Sequence, residues 1–104
     1  MSNKRISLIE AILALRTPQD AKRFLRDLLT KKEIVEFNNR WQAAQMLDNQ
    51  VPYSEIISQT GLSSTTVARI AKWLRGSVGG YRLVLRRFAR HHRKSRSPAG
   101  SRVR

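Results

Sequence analysis

The chain has 104 residues, 40% of them hydrophobic, and carries 21 Lys and Arg against 7 Asp and Glu, a net charge of +14. It holds no cysteine, which excludes disulfides and thiolate metal sites and fits a reducing cytoplasm. No apolar run nears the roughly 18 residues that a membrane span needs. The charge selects a polyanion as partner: DNA, RNA or an anionic membrane surface.

Ile6 to Arg16 is predicted as the first helix. Ile6, Leu8, Ile9, Ile12, Leu13 and Leu15 make it apolar on most sides, more than the surface of a small monomer tolerates, so a partner chain is expected to cover it. A signal sequence is not expected, since Glu10 interrupts the apolar stretch and no small-residue cleavage site follows. Thr17-Pro18 restarts the helix with a hydroxyl cap, a proline at the first position and Asp20 in the first turn. This second helix, about 18 to 29, turns Ala21, Phe24, Leu25, Leu28 and Leu29 inward. Thr30 and Glu33 form a capping box that opens a third helix running to about Asp48, with Ile34, Phe37, Trp41, Ala44 and Leu47 on its apolar face.

Residues 53–72, YSEIISQTGLSSTTVARIAK, then scan as a helix-turn-helix. Gly61 stands where the tight turn needs positive φ. Ile56, Ile57 and Thr60 before it, and Leu62, Val67 and Ile70 after it, pin the two helices together. The second helix leaves Ser63, Ser64, Thr65, Thr66, Ala68, Arg69 and Lys72 outside, followed by Arg75. Small hydroxyls and methyls ending in cations suit a major groove and its phosphates. Ser63 is the expected N-cap, compatible with presenting the helix start to a phosphate. Thr65 and Thr66 are the base-edge candidates, and Arg69, Lys72 and Arg75 the phosphate candidates. A plain helical hairpin would carry the same turn glycine.

Three glycines in residues 76–80 end the pattern as a hinge. YRLVLRRFARHHRK forms one more helix, with Leu83, Val84, Phe88 and Leu85 as its apolar set, and SRSPAGSRVR is expected to be a disordered basic tail. Residues 1–74 carry a net +4 and residues 75–104 a net +10. The expected organisation is a helical domain over residues 1–80 and a basic extension over 81–104 that adds phosphate contacts. The fold class is all-α.

The ordered set FLRDLLTKKEI, RWQAAQML, PYSEIISQTG and GLSSTTVARI resembles the Trp repressor superfamily, in particular its YerC/YecD-like branch, over roughly residues 6 to 83. The resemblance implies an intertwined homodimer with interlocked N-terminal helices and two helix-turn-helix heads aimed at successive major grooves. In Trp repressors two arginines sandwich the corepressor indole, and Arg40 and Arg69 fall at those positions. The glycine that makes room for the ring is Ile70 here, and Trp73 stands in place of a small serine. Both fill volume that an indole needs, so binding independent of tryptophan is expected.

Trp41 and Trp73 are read as core residues, and Arg40 as structural, paired with Glu36. His91 and His92 are adjacent on a helix and point about 100° apart, unsuited to sharing a metal ion. The carboxylates are scattered and sit mostly at helix starts, and no nucleophile–base pair or phosphate-cradling loop is present, so neither an enzyme nor a cofactor is expected. The expected function is a cytoplasmic, nucleoid-associated, sequence-specific transcriptional regulator, repressor-like, bound to double-stranded DNA. The alternative is an RNA- or nucleoid-binding structural protein whose affinity comes from the basic extension. A membrane-surface role ranks last, because the basic end has few bulky apolar residues.

Overall fold

The computed structural model describes residues 5–76 and 79–95, with side chains as far as residue 90. The described residues form six helices and no strand: α1 (Leu8–Leu13), α2 (Pro18–Leu28), α3 (Lys31–Asp48), α4 (Tyr53–Thr60), α5 (Ser64–Arg75) and α6 (Gly80–Ser95). The chain divides into two compact units, residues 1–36 and 37–104, the division falling inside α3.

In the first unit local capping sets the helix boundaries. Ser7 accepts the Glu10 N–H while the Glu10 carboxylate accepts the Ser7 N–H at 2.8 Å, a closed capping box. The Ser7 backbone N–H, and secondarily the Ser7 hydroxyl, hydrogen-bond the Glu10 carboxylate and hold it below its ordinary pKa. The helix is shorter than the expected span from Ile6 to Arg16. It starts after Ser7 and ends at Leu13, because Pro18 forces Thr17 into an extended conformation and the chain must leave the helix first. Thr17 then accepts the Asp20 N–H at 3.0 Å, and Asp20 reaches back to the Arg16 N–H at 3.1 Å. Thr30 and Glu33 close the second capping box. Neither α1 nor α2 contains a buried residue, and Leu13 is 77% exposed.

The second unit holds the core. Ala43 and Ala44 of α3 are fully buried in one hydrophobic cluster with residues of α4 and α5. Ile56 of α4 and Val67 of α5 are fully buried beside them, with Ile70, Ala71 and Leu74 nearly so. Burying Ile56 and Val67 is worth roughly 1.5–3 kcal/mol each. Trp41, Met46, Leu47, Val51, Ile57, Leu62 and Tyr81 pack around this cluster.

The α4–α5 junction is locked by its own polar groups. Gly61 adopts φ 76°, where a side chain costs about 1–2 kcal/mol. Its N–H closes α4 on the Ile57 carbonyl at 2.9 Å. Thr60 is buried, yet its hydroxyl donates to the Ile56 carbonyl at 2.7 Å and accepts the Leu62 N–H at 3.2 Å. No polar atom of that side chain is wasted, so the turn is rigid as well as tight.

α6 is held by two anchors, one on α3 and one on α5. Tyr81 stacks on Trp41 with ring centroids 6.4 Å apart, and the Arg82 Nε–H donates to the Leu74 carbonyl at 2.9 Å. The inward residues are therefore Tyr81, Arg82 and Leu85; of the expected apolar set Leu85 is half-buried, while Leu83, Val84 and Phe88 are exposed. The expected hinge residues 77 and 78, the tail from residue 96 onward and the His91 and His92 side chains lie outside the described residues.

Candidate nucleic-acid interface

α5 is fixed on one side and open on the other. Val67, Ile70, Ala71 and Leu74 are buried, so the helical repeat turns Thr65, Ala68, Arg69 and Lys72 to solvent, and all four are exposed. Thr65, Arg69 and Lys72 recur at spacings of four and three, one above another on a single face. Among the described residues no carboxylate belongs to α5, so this face is uniformly cationic or neutral.

The start of α5 consumes two of the hydroxyls that the sequence offers. Ser63 accepts the Thr66 N–H at 3.1 Å and donates its own proton to the Thr66 hydroxyl at 3.0 Å. Ser63 is thus the cap, and Thr66, half-buried, is tied into it. Ser64 and Thr65 remain exposed with no such bond, ahead of Arg69 and Lys72. Arg75, exposed three residues beyond Lys72, continues this row at its far edge and also lines a pocket with Asp48 and Arg82.

The expected ligand pair divides similarly. Arg69 is exposed on α5, whereas Arg40 is half-buried on α3 with its guanidinium 5.6 Å from the Phe37 ring centroid, a cation–π contact. Ile70 lies in the core, at 3% exposure. Trp73 is not a core residue: it is 61% exposed, because the register that buries Ile70 and Leu74 carries position 73 out to the flank of α5. There it lines an open groove of about 600 Å³ with Trp41, Tyr81, Val84 and Phe88. Sequence reasoning missed this groove. The spacing of Tyr81, Val84 and Phe88 was visible, but their meeting with Trp41 and Trp73 depends on how α6 docks. Among the described residues no three His, Cys, Asp or Glu side chains cluster to hold a metal ion, and no helix is long and apolar enough to cross a membrane.

A long helix backing two short helices around a left-handed glycine, all within an all-helical chain, defines a Trp-repressor-type fold. The family profile described as Trp repressor protein matches residues 4–89, and the chain belongs to that family. It is 31% identical over 90 residues to uncharacterized protein YerC of Bacillus subtilis (strain 168), covering 86% of each chain. It is also similar to the crystal structure of a TrpR-like protein from Eubacterium eligens ATCC 27750, at 33% identity and a TM-score of 0.70, covering 79% of this chain and 84% of that one.

Proposed function

We propose that this protein is a dimeric, sequence-specific DNA-binding transcriptional regulator in which α4 and α5 act as a helix-turn-helix and α5 enters the major groove. The observation that carries this reading is the exposed row of Thr65, Arg69 and Lys72 on a helix whose opposite face is locked into the core. Arg69 and Lys72 contact phosphates, Ser64 and Thr65 reach base edges, and the capped start of α5 faces the backbone. Arg86, Arg87 and Arg90, exposed on α6, add contacts outside the specific site. The protein works in the cytoplasm, on the nucleoid.

Selecting bound fragments from random duplex DNA tests this directly. A two-fold symmetric site with half-sites about one helical turn apart is the expected product. Enrichment without any sequence preference, lost when Arg86, Arg87 and Arg90 become Gln, would instead assign the affinity to the basic end and make the helical domain a scaffold.

The reading further holds that no tryptophan corepressor is needed, since Ile70 fills core volume and holds α5 with the protein's own side chains. Melting with and without millimolar L-tryptophan is expected to give one and the same Tm. A ligand present at 100 times its dissociation constant adds about 2.7 kcal/mol, or several degrees for a domain of this size. A shift of that order, with tryptophan-dependent retention of DNA, would restore Arg40 and Arg69 as a ligand sandwich.

A further inference from the structure

The pocket that Arg75 lines at the far end of the α5 row has a chemistry of its own. It is an open pocket of about 500 Å³ lined by the end of α3, the start of α4, the end of α5 and the start of α6. That is the size range of small-molecule sites. Its floor includes the nearly buried Leu74. Its polar lining residues are Asp48, Gln50, Tyr53, Arg75 and Arg82.

Two features make this more than a surface dent. First, Arg82 is held in place: its Nε–H is spent on the Leu74 carbonyl at 2.9 Å, so the guanidinium is oriented before anything binds, while its terminal amino groups keep their donor capacity. Capping the end of α5 accounts for that bond, but not for a second guanidinium, Arg75, on the same cavity. Second, two guanidinium groups against one carboxylate leave the rim net positive, and it is richer in donors than in acceptors. Gln50 holds φ 62° as the left-handed cap that ends α3, its N–H bonded to the Leu47 carbonyl and the Val51 N–H to the Met46 carbonyl, so local capping accounts for that conformation.

We propose that this pocket binds a small phosphorylated, hydroxyl-bearing molecule of sugar-phosphate or mononucleotide size. Arg75 and Arg82 grip the phosphate through paired N–H donors, and Asp48 accepts from a sugar hydroxyl. Asp48 is what favours a free metabolite over the DNA backbone: a carboxylate repels a bare phosphodiester, and the internal sugars of DNA have no free hydroxyl to offer it. The occupant would bridge the ends of α5 and α6, and so couple ligand to the helix proposed to read DNA.

Calorimetric titration of the full-length protein, without DNA, tests the pocket independently of any DNA-binding role. The probes are ribose 5-phosphate, inorganic phosphate and ribose. Saturable binding of ribose 5-phosphate, one per chain, is expected, with inorganic phosphate weaker and ribose silent. Arg75→Gln should weaken ribose 5-phosphate by about tenfold or more, the loss expected of a hydrogen bond to a charged group. Arg75 is exposed, so this variant keeps the fold even if Arg82→Gln does not. Asp48→Asn should weaken ribose 5-phosphate while strengthening inorganic phosphate, a crossed response that diffuse attraction to a +14 chain cannot produce. Equal binding of ribose 5-phosphate and phosphate, both indifferent to Asp48→Asn, would overturn the proposal. So would silence toward ribose 5-phosphate combined with a smaller salt slope of DNA binding in Arg75→Gln, which would mark the pocket as a seat for a backbone phosphate.

Discussion

A chain carrying Ile9→Glu and Leu13→Glu is expected to sediment as a species of 12.0 kDa, where the unaltered protein at low micromolar concentration is expected to run as a dimer of about twice that mass. Neither residue is buried within the chain, Leu13 being 77% exposed and Ile9 65%. Together with Ile6, Leu8 and Ile12 they make α1 a helix whose apolar groups face water unless a second copy covers them. Such a patch on a small protein marks an interface. Removing two aliphatic side chains from an interface forfeits roughly 1.5–3 kcal/mol each, and forcing carboxylates into it adds a desolvation cost. The sum is on the order of 5 kcal/mol, more than three decades in dimer Kd. Losing the dimer should also remove selective DNA binding, since one head has half the site. A variant that stays dimeric would show that α1 is not the dimer contact.

The parts of this fold that were legible in the sequence are those decided within a few residues. Thr17 before Pro18, Thr30 with Glu33, and Ser63 ahead of α5 each bond the N–H that their position predicts. Gly61 takes the left-handed φ that its turn demands. What depended on distant partners was misread or missed. Trp73 looks like a core residue by size and hydropathy, yet the register set by Ile70 and Leu74 moves it to the surface. α6 reads as a basic helix with Val84 and Phe88 buried, but they border an open groove beside Trp41 and stay exposed, while Tyr81 on Trp41 and Arg82 on Leu74 anchor the helix. The α5 surface shows the same divide. The row of Thr65, Arg69 and Lys72 follows from helical period alone. The engagement of Thr66 with Ser63, and the place of Arg75 on a pocket with Asp48 and Arg82, needed the structure.

The double variant Arg69→Ala, Lys72→Ala is expected to lose specific DNA binding by on the order of a hundredfold or more, since each cation would surrender a hydrogen bond to a charged group worth about 1.5–3 kcal/mol. Both side chains are exposed and neither contributes to the core, so helix content and melting should be unchanged. The salt dependence separates this loss from a general weakening. Each phosphate contact releases counterions worth about one unit in the slope of log K against log salt. The double variant should therefore lose about two units per head. Thr65→Ala should behave in the opposite manner: the slope stays, and preference relaxes at one base pair by about 1–3 kcal/mol. The contrast follows from geometry, because Thr65 lies one turn nearer the start of α5, where a helix end meets base edges, while Arg69 and Lys72 lie further along the same face. Filter binding across a range of salt concentrations, on the selected site and on scrambled duplex, measures both effects together. Unchanged affinity and slope in all three variants would mean that α5 is not the helix that reads DNA.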